Sequence, residues 1–479
     1  MGCSHSDVQE QGKGKIKRKV SIYSGGDVKQ NYELIYVLGN GAFGKVRLYR
    51  DRTNNELLYA IKTLKKEGIT KTQYELIQSE ISILSKLDHP NIVKYFGTFE
   101  DDFYLHIMME YLNGQDLFKI ITLKDYTKIE EKDMSQIIYK LFKTLIFLHT
   151  KKIVHRDIKP ENLLFSNKKD YSTLKLIDFG LATQSVKDTK SVGTPYYMSP
   201  ELIDGISVPQ SDVWSVGVIL YQMLTGKYPF NASGERNMLL DNIKKNPYNT
   251  KYLDEVECSD EIKDLIDKIL VKDYTKRLTS EECIQHPWFK KFYVQKESNL
   301  FNNRTLNSLK EFANKPILQK EIYFFIAKLS TEKQIKKFSD FFDVLDSENT
   351  GVLTIPEIEK GFKKNGITIS ESDLRLIWNG LDFHKDNEVS YTEFLAAMVS
   401  TVPYNDLKDN LNTVFNYFRQ DNDYITANSV LQTGKALNLI MNENNIINDF
   451  KMFKKEKVNS EEFLNIIPKY NCLLVLIFY

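Results

Sequence analysis

The 479 residues include only four cysteines, Cys3, Cys258, Cys283 and Cys472, with neither paired spacing nor the Cys/His spacing of a zinc site. A disulfide scaffold and a zinc module are both excluded, and a reducing, intracellular setting is expected. Long apolar runs are missing too: the longest candidate, CLLVLIFY at 472–479, has eight residues, against the roughly 20 of a membrane-spanning helix. That tail reads as a docked strand or helix end. It carries no prenylation signal, because position 476 is leucine. No signal-peptide core precedes the first apolar domain. Charge of one sign is also lacking: 65 basic and 64 acidic residues leave a net charge of +1, so no global field attracts nucleic acid. What remains is ordinary globular composition, 42 % apolar, in a chain long enough for about three domains.

The chain opens MGCSHS, with Gly2 behind the initiator Met and Ser6 four positions later. This fits N-myristoylation at Gly2, with Cys3 a candidate for palmitoylation. KGKIKRK at 13–19 supplies a basic second signal, worth on the order of 1 kcal/mol per cation near an anionic leaflet. Residues 1–31 are therefore expected to form an acylated basic arm that holds the protein at the cytoplasmic face of a membrane, with a pool in the cytoplasm. From Tyr32, alternating apolar segments (YELIYVLG, KVRLYR, LLYAIKTL) predict antiparallel strands. Later, MSQIIYKLFKTLIFLH and DVWSVGVILYQMLTG carry apolar residues three and four apart and predict helices.

GNGAFGKV at 39–46 follows the first strand, and Gly39, Gly41 and Gly44 let backbone close over phosphates where side chains would obstruct it. AIK in the next strand places Lys62 to meet the α- and β-phosphates, with Glu80 in QSEISILSKL as its ion-pair partner. HRDIKPENLL at 155–164 offers Asp157 to accept a hydroxyl proton, Lys159 to neutralise a transferring phosphoryl group, and Asn162 to hold magnesium. DFG at 178–180 adds a second magnesium carboxylate, Asp178. Phosphoryl transfer builds charge on oxygens and needs placed cations more than a covalent nucleophile. Glu201, in MSPE, is expected to pair with Arg277.

Across 32–289 this set resembles the eukaryotic protein kinases. The resemblance implies a bilobal α+β fold, ATP and magnesium as cosubstrate and cofactor, and serine/threonine specificity from KPEN and GTPYY, with Lys159 and Thr194 near the substrate hydroxyl. It further implies a nucleotide site made by Leu38, Gly39, Asn40, Gly41, Ala42, Phe43, Gly44, Lys45, Val46, Ala60, Lys62, Glu80, Leu164 and Asp178. Met109 falls at the gatekeeper, Glu110 and Leu112 at the hinge, and Asp116 at the edge of the site. Asp116 and Glu161 match acidic positions that receive substrate arginine in basophilic kinases, so protein substrates with basic residues near the acceptor are expected, acted on by a monomer.

After a polar stretch, KESNLFNNRT, apolar residues at helical spacing run through 306–329 around Pro316, predicting a kink or two helices. From about residue 334 amphipathic helices flank 12-residue loops. In DSENTGVLTIPE (346–357), Asp346, Glu348, Thr350, the Val352 carbonyl and Glu357 are calcium ligands, with Gly351 at the turn. In DFHKDNEVSYTE (382–393), Asp382, Asp386, the Glu388 carbonyl and Glu393 are the expected ligands. His384 is a poor oxygen mimic there, and Asn387 tolerates the turn's positive φ. Two later loops have lost their ligands: Phe418 and Ser429 stand at the ends of one, and Lys451, Phe453 and Lys455 enter the other.

Kinase, linker and paired helix-loop-helix units in this order resemble the calcium-dependent protein kinases of plants and protists. That implies a junction segment (290–333) that obstructs the kinase at rest and is released by calcium at the first pair (334–400), with a degenerate pair and tail at 401–479. A scaffold with a vestigial kinase and a constitutive kinase with a purely packing sensor are the alternatives.

Overall fold

The computed structural model describes residues 28–41, 44–52, 54–122, 129–167, 170–185, 192–231, 235–292, 298–419, 422–436, 441, 443–452 and 454–466. The acylation candidates Gly2 and Cys3, the loop-tip residues Ala42 and Phe43, and the apolar tail therefore lie outside the described residues.

The alternating segments form five strands, β1 (Tyr32–Gly41), β2 (Gly44–Asp51), β3 (Leu58–Lys65), β4 (Tyr95–Glu100) and β5 (Tyr104–Glu110), in an antiparallel sheet of order β1-β2-β3-β5-β4. Register pairs Lys62 of β3 with Ile107, and Ala60 with Met109, which brings the cation and the gatekeeper strand side by side. Helix α1 (Lys71–Leu84) opens with a reciprocal capping box between Thr70 and Gln73 and turns Glu80 inward.

The large lobe is built on α2 (Glu131–Thr150) and α3 (Pro209–Thr225). Helix α3 is buried from Ser211 to Leu224 and so is apolar nearly all round. It ends at Gly226, whose left-handed φ of 67° supplies the C-cap. A short hairpin, β6 (Leu163–Phe165) and β7 (Leu174–Leu176), holds the catalytic loops.

Pro316 splits the linker into two helices, as its missing N–H and ring clash require: α4 (Asn303–Ala313) and α5 (Ile317–Leu329). Helix α4 starts inside the polar stretch read as linker, because Asn302 accepts a hydrogen bond from the Thr305 amide and caps it. The sensor follows with α6 (Glu332–Leu345), α7 (Ile355–Lys364), α8 (Glu371–Leu381), α9 (Tyr391–Val399), α10 (Tyr404–Arg419), α11 (Ala427–Ala436), α12 (Glu443–Met452) and α13 (Ser460–Ile466). Bridges between Leu353 and Val389, and between Ile425 and Val458, couple the loops in two pairs.

Helix α4 packs on α8 and α9, and α5 on α9, α10 and α12. Their apolar faces share one core with Tyr49, Tyr59, Phe96 and Phe99 on the outer face of the small lobe. The degenerate pair contributes directly: Tyr417 donates to the Tyr59 hydroxyl at 3.3 Å, and Gln319 of α5 donates to the Ile466 carbonyl at 2.7 Å.

Candidate active site and calcium loops

Lys62 Nζ lies 2.6 Å from Glu80 Oε1 and 3.9 Å from Asp178 Oδ1. Burial opposes the lysine's charge, but these two carboxylates outweigh it and hold the ammonium above its ordinary pKa. Asp178 adopts a left-handed φ of 60°, which Asp tolerates better than most residues, and its carboxylate accepts the Gly180 amide at 3.2 Å. Phe179 is buried edge-on to His155. The small-lobe cation and the magnesium carboxylate are thus assembled across the cleft.

Asp157 stands at the centre of a hydrogen-bonded group. Its Oδ2 is 2.7 Å from Lys159 Nζ and accepts Asn162 Nδ2 at 3.2 Å, while its Oδ1 accepts the Thr194 hydroxyl at 2.8 Å. Burial raises the cost of its charge, but Lys159 and Thr194 more than offset it and keep the carboxyl below the usual range. Asn162 spends its amide hydrogens on Asp157, which leaves its amide oxygen as the donor atom for a cation beside Asp178. Both residues fit magnesium, a hard ion that favours oxygen.

The expected Glu201–Arg277 pair is present, bidentate at 2.7 and 3.1 Å, with both side chains buried. Arg277→Ala leaves Glu201 buried and uncompensated, and the large lobe is expected to lose about 3–5 kcal/mol. Urea unfolding checks this, and a loss below about 1 kcal/mol would show that Glu201 finds another partner.

Sequence reasoning passed over Asp212, read only as part of a helix. Its carboxylate accepts the amides of His155 and Arg156 at 2.9 Å each and lies 3.1 Å from His149 Nε2. It fixes the backbone that carries Asp157, and Arg156 sits there at a left-handed φ of 67°. A buried acid at the head of an apolar helix was the available signal. Around the nucleotide cleft, Leu112 is buried, Glu110 meets Lys175 at 3.1 Å, and Asp116 holds Lys119 at 2.9 Å.

Loop one has the local geometry of a calcium loop. Gly351 takes φ 74°, and Asp346 accepts the amides of Thr350 and Gly351 at 2.8 and 3.2 Å. Thr354 and Glu357 form the capping box of α7, so the ninth and twelfth loop positions also start the exit helix. Burial raises the carboxyl pKa of both Asp346 and Glu357, and their mutual repulsion adds to the shift at Glu357. Two such carboxylates with hydroxyl and carbonyl oxygens between them suit a hard divalent cation.

The kinase faces this loop. Lys143 of α2 lies 3.3 Å from Asp346 Oδ2, and Asp88 reaches the end of loop two, accepting the Thr392 amide and hydroxyl at 2.8 and 2.7 Å. Lys94 reaches the carbonyls of Lys328 and Ser330 at the end of α5.

Loop two departs from loop one at its third position. His384 Nδ1 is 3.0 Å from Glu393 Oε1, the expected bidentate ligand, and the Glu388 side chain turns out to Lys151 at 2.9 Å. Of the expected ligands, Asp382 accepts the Asp386 amide at 3.1 Å, and Glu393 accepts the His384 and Ser390 amides at 3.2 and 2.9 Å, the contacts that Glu357 makes in loop one. Among the described residues no three His, Cys, Asp or Glu side chains converge in metal-holding geometry, in loop one as in loop two, since both ligand sets draw on carbonyl and hydroxyl oxygens as well.

The protein kinase domain profile matches residues 32–289, and the EF-hand domain pair profile matches 335–399. Calcium-dependent protein kinase 14 of Arabidopsis thaliana is 33% identical over 388 residues, covering 78% of this chain and 71% of that protein. The chain belongs to the calcium-dependent protein kinases. Calcium-dependent protein kinase 5 of Plasmodium falciparum is 34% identical over 397 residues, 80% of this chain and 68% of that protein. Calcium-dependent protein kinase 7 of Arabidopsis thaliana is 31% identical over 463 residues, 92% of this chain and 83% of that protein. The family's kinase and EF-hand units thus coincide with the two lobes and the first helix-loop-helix pair of the sensor.

Proposed function

We propose that this calcium-dependent protein kinase transfers the γ-phosphoryl group of ATP to serine or threonine hydroxyls of proteins when calcium occupies loop one. The carrying observation is the assembled cleft, Lys62 on Glu80 and Asp157 on Lys159 and Thr194, in a chain whose sensor packs on the same small lobe. Lys62 holds the α- and β-phosphates. Asp157 receives the acceptor hydroxyl in the place where it now accepts Thr194, takes its proton and orients the oxygen for in-line attack. Lys159 neutralises charge on the transferring phosphoryl oxygens. Asn162 and Asp178 would hold magnesium, which would supply positive charge to offset that of the nucleotide phosphates.

Regulation follows from the linker. Helices α4 and α5 are gripped by sensor helices, and in this reading they leave that grip to obstruct the kinase when calcium is withdrawn. Glu161, with one buried oxygen lacking a hydrogen-bond partner, and Asp116 favour substrates with basic residues near the acceptor. Measuring phosphorylation of a basic serine peptide with magnesium and ATP, in chelator and in calcium, tests the reading. Equal rates would reduce the sensor to packing, and no transfer in either would leave a scaffold.

The N-terminal arm makes the protein a peripheral membrane enzyme. Gly2→Ala removes the site of acylation, on which palmitoylation of Cys3 depends. Since one acyl chain gives only marginal binding, the variant is expected to move from membrane to soluble fractions. Unchanged partitioning would exclude the arm as the anchor.

A further inference from the structure

Loop two keeps the backbone of a calcium loop. Asn387 adopts φ 65° at the sixth position, Val389 bridges to Leu353, and Asp382 accepts the Asp386 amide at 3.1 Å just as Asp346 accepts Thr350. The difference lies at the third position. His384 is buried edge-on to Phe324, with ring centroids 5.0 Å apart. Its Nδ1 meets Glu393 Oε1 at 3.0 Å, and its Nε2 lies 3.4 Å from Oε1 of Glu321, a buried acid on linker helix α5. Loop four shows the same arrangement: Lys455, at its fifth position, puts Nζ 2.5 Å from Oε1 of its twelfth residue, Glu462. In both loops a basic side chain of the loop itself holds the carboxylate that a calcium ion would use.

We propose that loop two takes no calcium and is closed instead by His384, whose ring joins Glu393 to Glu321 of the linker helix, leaving loop one as the calcium site of the pair. Calcium requires about six to eight oxygen ligands, and an imidazole nitrogen is a poor substitute. To admit the ion, Glu393 must leave the ring, and any withdrawal of the ring strands Glu321 as a buried, uncompensated charge. The contact between the linker helix and loop two is therefore made by side chains and needs no ion of its own. Calcium acts where loop one meets the kinase, at Lys143, His89 and Phe147, the last two so close that a Cβ at Gly351 would fall 2.6 Å from the His89 ring.

The inference rests on loop one being a calcium site, and the two can fail separately. Calorimetric titration of the full chain with calcium chloride in excess magnesium is expected to count one ion, retained in Glu393→Gln and lost in Asp346→Asn. Two ions in the unaltered chain, falling to one in Glu393→Gln, would overturn the proposal. No ion in the unaltered chain would overturn the loop-one reading while the loop-two assignment stands. The converse variant, His384→Asp with Glu321→Gln, restores a third-position oxygen and removes the buried acid, and is expected to gain a second ion. If that variant folds, as judged by circular dichroism, and still binds one, His384 is not what excludes calcium. If it does not fold, the comparison of the unaltered chain with Glu393→Gln decides alone.

Discussion

Asp157→Asn is expected to lower turnover on the order of a hundred- to ten-thousandfold, the contribution of a positioned general base, while the KM for ATP stays near that of the unaltered enzyme. The substitution keeps the side chain's shape and removes its charge. Thr194 and Asn162 then face an amide in place of the carboxylate they now contact at 2.8 and 3.2 Å, and Lys159 loses the anion 2.7 Å away. The nucleotide contacts expected of Lys62 and Asp178 are made by other side chains, so the loss belongs to the transition state and falls on kcat. Steady-state kinetics with a saturating peptide measure it. Turnover within about threefold of the unaltered enzyme would be far less than a general base contributes and would remove Asp157 from the reaction.

The second large effect is on the switch. In Glu357→Gln the rate in calcium is expected to fall to the rate the unaltered enzyme shows in chelator. A glutamine offers one neutral oxygen where the twelfth position of a calcium loop supplies a bidentate anion. The loop itself should survive, because Glu357 is also the N3 residue of a capping box with Thr354 and accepts the Glu348 amide at 3.1 Å. A glutamine can serve as N3 of that box, and even a lost cap would cost about 0.5–2 kcal/mol. Rates measured across a calcium titration provide the check. An activation ratio equal to that of the unaltered chain would place the regulatory ion elsewhere.

The chemistry of the catalytic site was legible in the sequence because its parts are short segments with fixed internal spacing. HRDIKPEN carries three working side chains within eight residues, and a loop that must place Asp157, Lys159 and Asn162 around one hydroxyl has few other ways to be written. The same holds for the 12-residue calcium loop and for Pro316, whose ring interrupts a helix in any surroundings. The loss of ligands from loops three and four was visible for that reason too.

Loop two shows what local spacing leaves out. Its carboxylates at positions one, five and twelve matched a calcium site, and His384 read as one weak ligand among good ones. On the proposal made above its role turns on Glu321, which lies 63 residues earlier on a different helix and becomes a buried partner only when α5 packs against the loop. Asp212 was hidden in the same way, 57 residues from the amide of His155 that it holds, and so was Lys143, 203 residues from Asp346. Local spacing by itself determined which atoms can do chemistry, since those atoms are placed by a few backbone dihedrals. Tertiary structure alone decided which charges lose water and which neighbour compensates them. That pairing depends on burial, and burial is a property of packed surfaces that no single segment carries.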